Sequence, residues 1–218
     1  QVTRDSEQAS GVALINVDQT GENQIVVVPG ANATLSAELV EKAFSNIAEG
    51  SIILLQLEIP LASVARAIEL GTEKNCRIIL DPAPAQALSP SLLENVFLLT
   101  PNETEAEILS GIKVTGENSA KEAASALLQL GVDNLAITLG SSGVLLASKN
   151  EHRLIPAIEV EAIDTTAAGD CFNGSLAVAL AKGNELSQSI EFACRVASIS
   201  VTRAGAQDAM PFAHEVKI

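Results

Sequence analysis

The sequence predicts an α/β domain built on a doubly wound, mostly parallel sheet with helices on both faces. Three observations support this prediction. Strand-like apolar runs alternate with segments of helical periodicity along most of the 218 residues. Residues 51–57 form a continuous apolar run, which is typical of a strand buried on both faces of a parallel sheet. Apolar residues make up 47% of the chain, enough to fill the core of one domain.

The predicted elements follow one another in the order that such a sheet requires. Two strands flank the turn at residues 19–22, which predicts a hairpin. Ser119 and Glu122 predict a capping box ahead of a helix that ends near Leu130. The predicted strands are 11–17, 24–28, 51–57, 77–80, 96–99 (ended by Pro101), 135–139 and 144–147. The other predicted helices are 36–48, 61–70, 91–94, one that begins near Asn102, and 171–182.

Several of these apolar runs end at, or are followed by, residues that could bind a ligand. They are Glu58, Asp81, Asn102, Gly140 and Asp164. In open α/β sheets, ligands bind beyond the carboxyl ends of the strands. The sequence therefore predicts a single ligand-binding rim that gathers these residues.

The run Asp-Thr-Thr-Ala-Ala-Gly-Asp at residues 164–170 combines small residues with an acid. Ala167, Ala168 and Gly169 leave backbone N–H groups unshielded before a predicted helix, where the macrodipole favours an anion. A carboxylate at Asp170 would repel a phosphate unless it takes a proton from a hydroxyl that attacks the phosphorus. The alternative is that Asp170 is the N-cap of an ordinary helix.

Composition excludes several classes of partner. The net charge is −14, from 27 acidic and 13 basic residues, so nucleic acid and anionic membranes are not expected partners. The absence of Trp and Tyr leaves no platform for stacking bases. Cys76, Cys171 and Cys194 are widely spaced, which predicts thiols in a reducing compartment, and no apolar run reaches the length of a membrane span. We expect a cytoplasmic protein.

Motifs along almost the whole chain, taken in order, resemble those of the PfkB family of sugar kinases. The Ala-Ala-Gly-Asp form is similar to the ribokinase group of bacteria within that family. The motifs are GEN at 21–23, GAN at 30–32, Glu58, DPAPA at 81–85, TPNETEAEIL at 100–109, TLGSSGV at 138–144, DTTAAGDCFNG at 164–174 and VTRAGAQ at 201–207.

The resemblance implies a ribokinase-like fold and ATP-dependent phosphorylation of D-ribose to D-ribose 5-phosphate. It makes Asp170 the catalytic base, and Glu58 and Asp170 the residues that contact the sugar. The Ala167 to Gly169 amides would hold the transferred phosphoryl group. Two alternatives remain, which are another sugar kinase of the family, such as a fructokinase, and a non-catalytic paralogue that keeps a nucleotide-binding shell.

The same resemblance places the nucleotide on the turn at residues 140–143. The nucleotide-binding residues that it implies are Asn102, Thr138, Leu139, Gly140, Ser141, Ser142, Gly143, Gly169, Asp170 and Cys194. It makes Asn102 and Glu105 organisers of Mg²⁺ through water, which suits an ion that keeps its hydration shell. From the residues alone, the turn is a hairpin, and Asn102 is a helix cap followed by a first-turn acid. Cys194 would pack against the adenine.

A monovalent cation site, usually for K⁺, is also implied next to the anion hole. Its ligands would come from Asp164 and Thr166, from backbone groups near Ser200, Arg203 and Gly205, and from the position of Ala209. The family often has a serine at the Ala209 position, and Ala209 offers only its carbonyl oxygen, so the sequence leaves the strength of cation binding open.

Compared with members of the family, residues 1–218 are expected to form one domain that lacks the N-terminal quarter to third of the family's sequence. Residues 11–28 would form part of a β lid, which in the family also makes the homodimer interface. We expect the 218-residue chain to bind ribose weakly or not at all and to turn over slowly. Turnover near that of a full-length relative, measured as ribose-dependent ADP release, would contradict this expectation.

Overall fold

The computed structural model describes residues 2–17 and 23–216. The predicted turn at 19–22, with the Gly21 and Glu22 positions of the GEN motif, lies outside the described residues. The strands are β1 Val12–Val17, β2 Asn23–Val28, β3 Ile52–Leu55, β4 Arg77–Leu80, β5 Leu98–Leu99, β6 Asn134–Thr138, β7 Val144–Ser148 and β8 His152–Ile155. The helices are α1 Ala37–Phe44, α2 Leu61–Glu73, α3 Pro90–Leu93, α4 Glu103–Ser110, α5 Glu117–Leu128, α6 Ala168–Ala181 and α7 Leu186–Ser200.

Six strands form the main sheet in the order β3-β4-β5-β6-β7-β8. The pairs from β3 to β6 are parallel, and β7 and β8 continue the sheet antiparallel. Strands β1 and β2 form a separate antiparallel ribbon in which Val12 pairs with Val28. The mostly parallel sheet of the sequence prediction is confirmed, and the separate ribbon matches the two predicted hairpin strands.

Helices cover both faces of the sheet because its central strands carry apolar side chains on both sides. In β4, Ile78 and Leu80 pack on the face covered by α2, α4 and α5, whereas Ile79 packs on the face covered by α6 and α7. All three side chains are almost fully buried. Such strands form the continuous apolar runs that predicted this fold. No helix among the described residues is long and apolar enough to cross a membrane.

Strand β3 differs from the prediction. The apolar run at 51–57 yields only Ile52–Leu55, and β3 lies at the edge of the sheet with Leu54 41% exposed. The expectation of burial on both faces is wrong here, because an apolar run does not reveal how many neighbours its strand has.

The predicted capping box at Ser119 is also wrong. Helix α5 begins two residues earlier at Glu117, with Gly116 as its N-cap. The Ser119 hydroxyl accepts a hydrogen bond from the Thr115 N–H at 2.9 Å and donates one to the Gly116 carbonyl at 3.0 Å. The serine therefore ties the first turn of the helix to the preceding loop.

Candidate active site

Chain segments at the carboxyl ends of the parallel strands form one rim, as predicted. Asp81 follows β4 directly, and Asn102 bridges to Thr138 at the end of β6. Two predicted positions need correction. Glu58 lies in a bend three residues after β3 ends, and Asp164 follows an irregular segment after β8 and not a strand. The chain reaches both positions through loops, which apolar periodicity does not describe.

The first turn of α6 places backbone amides and a carboxylate side by side on this rim. Helix α6 starts at Ala168, three residues earlier than predicted, because Ala167 takes a left-handed conformation (φ 60°) as its N-cap. The Ala168 N–H donates to the Thr165 carbonyl at 3.2 Å, so it is less available to a ligand than predicted. The amides of Gly169 and Asp170 have no acceptor within the described chain. Two N–H groups at a helix N-terminus are therefore open to an anion.

Asp170 is the third residue of α6, and it is exposed. The N-cap position belongs to Ala167, so the alternative that Asp170 caps the helix is wrong. Asp170 lines a cavity of about 130 Å³. The residues around this cavity are Leu54, Leu55, Gln56, Asp81, Asp170 and Asn173.

Three other carboxylates lie near Asp81 at this cavity. Burial, followed by the nearby charges of Glu105, Asp170 and Glu58, raises the pKa of Asp81 to about 7. The Asn173 side chain opposes this shift, since its Nδ2 donates to Asp81 Oδ2 at 3.0 Å. A dense negative field of this kind is typical of sites that hold cations or move protons.

The raised pKa of Asp81 predicts that Asp81→Asn changes how stability depends on pH. Between the ordinary value of 3.8 and about 7, the unfolded chain releases the Asp81 proton while the folded chain keeps it. The free energy of unfolding therefore falls as pH rises through this window, by roughly 4 kcal/mol for about three pKa units. Asp81→Asn should remove this fall. The free energy of unfolding of the variant, relative to that of wild type, should therefore be higher at about pH 8 than at about pH 4.

Urea denaturation at both pH values measures this effect, with exposed Asp133 replaced by Asn as the matched control. If the difference in free energy of unfolding between Asp81→Asn and wild type stays constant with pH, the raised pKa of Asp81 is contradicted. A difference that shifts in the opposite direction would contradict it as well.

Asn102 and Glu105 form a reciprocal capping box at the start of α4. Asn102 Oδ1 accepts from the Glu105 N–H at 2.9 Å, and Glu105 Oε2 accepts from the Asn102 N–H at 2.8 Å. Glu105 is 8% exposed, and burial raises the pKa of its carboxyl. The predicted cap is confirmed, and the cap holds both side chains in fixed positions on the rim.

Residues 140–143 connect β6 to β7 as a tight hairpin, which confirms the local prediction. Gly140–Ser142 form one turn of 3₁₀ helix, and the Leu139 N–H donates to the Gly143 carbonyl at 2.8 Å. Residues 140–142 are exposed at the rim, whereas Leu139 and Gly143 are buried beneath them. The connection therefore offers an exposed surface next to Asn102 and Thr138.

Asp164 joins two loops behind the α6 turn. Its Oδ1 accepts from the Thr166 N–H and its Oδ2 from the Gly205 N–H, both at 2.9 Å. These bonds, with that from Gly205 the largest contributor, lower the pKa of the Asp164 carboxyl. The structure thus brings the segment 164–166 next to the segment 200–209, as the predicted cation site requires.

For the remaining residues of that predicted cation site, the predicted ligands are mainly backbone groups. The Ser200 carbonyl accepts from the Arg203 N–H at 3.1 Å, and Ala209 is fully buried. Within residues 2–17 and 23–216, no group of three or more His, Cys, Asp or Glu side chains is arranged to hold a metal ion. A cation here would therefore rely on Asp164, Thr166 and backbone oxygens.

Cys194 lies on α7, partly buried against the apolar cluster that α6 and α7 form on the sheet. Burial, followed by the charge of Glu191, raises the pKa of its thiol to about 11. The thiol is therefore neutral near neutral pH and behaves as a small apolar side chain.

Sequence reasoning missed Asn173, and it placed Asp81 on the ligand-binding rim without a chemical role. Asn173 is 4% exposed, and its Oδ1 has no hydrogen-bond partner in the described part of the chain. The available signal was an asparagine three residues after Asp170 in an otherwise apolar helix, which places both side chains on one face.

The mostly parallel sheet, with open helix amides and a carboxylate side by side on its rim, is the arrangement expected of an α/β phosphotransferase. Residues 1–213 match the family described as pfkB family carbohydrate kinase, and the chain belongs to this family. The family resemblance inferred from the motifs is therefore confirmed.

Several relatives are ribokinases. The chain is 43% identical over 210 residues to the ribokinase of Haemophilus influenzae, covering 96% of this chain and 69% of that protein. The crystal structure of ribokinase from Thermotoga maritima is 43% identical with a TM-score of 0.84, and the match covers 96% of this chain and 69% of that one. The Arabidopsis thaliana ribokinase complexed with ribose and ATP is 29% identical, with the same TM-score and coverage.

Proposed function

We propose that this chain transfers the γ-phosphoryl group of ATP to D-ribose and forms D-ribose 5-phosphate, a reaction of ribose metabolism. The observation that carries the proposal is the first turn of α6, where Asp170 stands beside the two open amides of Gly169 and Asp170. The similarity to ribokinases supports ribose as the sugar.

In this proposal, each part of the α6 turn has a chemical task. Asp170 accepts the proton of the sugar hydroxyl as its oxygen attacks the γ-phosphorus. The two open amides stabilise the negative charge on the transferring group, because preorganised N–H donors cost no rearrangement during the reaction. The exposed Glu58 carboxylate would accept hydrogen bonds from sugar hydroxyls, since one carboxylate can accept from two donors.

ATP would lie along the exposed backbone of residues 140–142, with Thr138, Leu139 and Gly143 beneath it and Cys194 packed against the base. A divalent ion such as Mg²⁺ would neutralise the phosphates. Asn102 and Glu105 fit a hydrated ion, because their capping box fixes a carboxylate and an amide that can bind its water ligands. Adding EDTA should then abolish turnover.

A monovalent cation such as K⁺ would bind between the segments 164–166 and 200–209. Asp164 and Thr166 are proposed ligands, with backbone oxygens near Ser200, Arg203, Gly205 and Ala209. Both Asp164 oxygens already accept from backbone N–H groups, and Ala209 offers only a carbonyl. We therefore propose an activating site of low affinity.

The β1–β2 ribbon is the proposed lid and homodimer interface. Apolar side chains on it are exposed, among them Leu14 at 59% and Val28 at 56%. Contiguous exposed apolar residues of this kind mark interaction surfaces. We also propose a cytoplasmic location, which suits the three free cysteines.

Gly169→Ala should separate the role of the α6 turn in catalysis from its role in stability. No atom lies within 4 Å of a Cβ built on Gly169, so alanine fits and should stabilise the helix by about 0.5–1 kcal/mol. The methyl group would stand in the proposed phosphoryl site and should lower kcat by at least about tenfold.

Gly174→Ala is the matched control, because Gly174 is in the same helix and has equally open surroundings. This variant should be stabilised by the same amount and keep its activity. Equal activities of the two variants would contradict an anion site at Gly169.

The proposed function is tested by measuring ADP release from ATP with ribose, fructose or no sugar. We expect release to depend on ribose, however slow the turnover. Dependence on fructose in place of ribose would favour the fructokinase alternative. Binding of ATP without any sugar-dependent release would favour a non-catalytic paralogue.

A further inference from the structure

Two side-chain hydrogen bonds tie helix α6 to strand β4. Asn173 Nδ2 donates to Asp81 Oδ2 at 3.0 Å, and Arg77 Nη2 donates to the Leu180 carbonyl at 3.0 Å. Arg77 begins β4 and Asp81 follows its end, while Asn173 is near the start of α6 and Leu180 near its end. The helix therefore runs antiparallel to the strand and is fastened at both ends.

Between these fastenings, the contact of α6 with the sheet is apolar. Phe172, Leu176 and Leu180 of α6 belong to the same buried cluster as Ile79 of β4. Apolar packing is non-directional, so it resists separation more strongly than a small slide of the helix along its axis. The two hydrogen bonds are directional, so they fix the position of the helix along this axis.

The end formed by Asp81 and Asn173 is the one next to the reacting groups. Both residues line the same cavity as Asp170, and Asn173 lies one helical turn beyond Asp170 on the same face. The Asn173 amide directs its NH₂ at Asp81 and leaves its buried Oδ1 without a partner among the described residues. A buried polar atom without a partner lowers stability and is unusual in a native core. It therefore points to a site under functional constraint.

We propose that Asp81 is a positioning residue that acts through Asn173 to fix the first turn of α6, and with it Asp170 and the two open amides. This inference rests on the proposed function. The role requires a hydrogen-bond acceptor at residue 81 and does not require a negative charge. A displacement of about 1 Å in a reacting group can lower a rate by about a hundredfold, so loss of the acceptor should be visible in kcat.

Three variants separate positioning from general stability. Asp81→Asn keeps an acceptor for Asn173, Asp81→Leu removes it, and Arg77→Met removes the bond at the remote end of the helix. We expect Asp81→Leu to lower kcat by about 10- to 100-fold, with KM for ATP changed less than about threefold. Asp81→Asn and Arg77→Met should keep kcat within about threefold of wild type, even if Arg77→Met lowers the melting temperature.

The proposal is overturned if Asp81→Asn loses as much kcat as Asp81→Leu, or if Asp81→Leu and Arg77→Met lose kcat equally. If Asp81→Leu does not fold, Asn173→Asp replaces it, since two facing carboxylates repel each other. The double variant Asp81→Asn with Asn173→Asp restores an amide–carboxylate pair in the reverse direction. It should recover at least about tenfold of the kcat lost in Asn173→Asp, and an absence of recovery overturns the proposal.

A measurement without substrates keeps this inference distinct from the proposed function. In ¹H–¹⁵N spectra of the unliganded chain, the Gly169 and Asp170 amide signals should move in Asp81→Leu and stay in place in Asp81→Asn and Arg77→Met. Absence of ribose-dependent turnover in wild type would refute the proposed function, and these amide signals would still decide the positioning role. Unmoved signals in Asp81→Leu would overturn it.

Discussion

Asp170→Asn is expected to lower kcat by roughly 10²- to 10⁴-fold, the usual contribution of a general base. Asparagine has almost the same shape as aspartate but cannot accept the proton of an attacking hydroxyl. Asp170 is exposed on the first turn of α6, away from the N-cap position, so the change should leave the helix start intact. Removing a negative charge beside the open amides should leave ATP binding unchanged or slightly tighter.

This prediction needs steady-state kinetics together with direct titration of ATP. Asp133→Asn serves as the matched control, because Asp133 is exposed on a loop before β6, away from the cavity. The control should retain wild-type kcat. If Asp170→Asn behaves like the control, Asp170 has no part in the chemistry and the account of the α6 turn fails.

Gly143→Ala should displace the hairpin on which ATP is proposed to lie. Gly143 has φ 103°, and a Cβ built on it would lie 2.1 Å from the Ile155 carbonyl oxygen and 2.6 Å from the Ala157 nitrogen. Both atoms are backbone, so no side-chain rotation relieves the clash. We expect a loss of about 2–4 kcal/mol in the free energy of unfolding, together with ATP affinity reduced by at least about tenfold.

Gly140→Ala provides the comparison, because Gly140 also has a positive φ (52°) but nothing within 4 Å of a built Cβ. It should lose only about 1 kcal/mol, the ordinary cost of a left-handed alanine. Urea denaturation and ATP titration of both variants make the comparison. Equal losses in the two variants would show that the contact of Gly143 with β8 does not hold the turn in place.

The sequence predicted the sheet because its signals are local. Apolar runs such as Arg77–Leu80 have the same bounds in the structure, since a strand buried on both faces needs no knowledge of its partners. Strand β3 shows the limit, because whether Leu54 is covered depends on neighbouring strands and not on its own run. Ser119 shows a second limit, since one hydroxyl can bond to several nearby backbone groups and its choice fixes the helix start.

The site was predictable where its residues are contiguous. Residues 167–170 form one turn, and their chemistry follows from small side chains, a helix and an acid. The pairing of Asp81 with Asn173 joins residues far apart in the chain, and no local pattern contains it. The prediction that Glu58 and Asp164 stand directly at strand ends was wrong for a related reason. Both residues lie in loops, and loops have no apolar periodicity.

The most direct test of the account is ³¹P NMR of ATP and D-ribose incubated with the 218-residue chain. The proposed reaction should give ADP and ribose 5-phosphate in equal amounts, only when ribose is present, and it should be greatly slowed by Asp170→Asn. Formation of ADP with inorganic phosphate and no sugar phosphate, or of ribose 5-phosphate at an undiminished rate in Asp170→Asn, would contradict it.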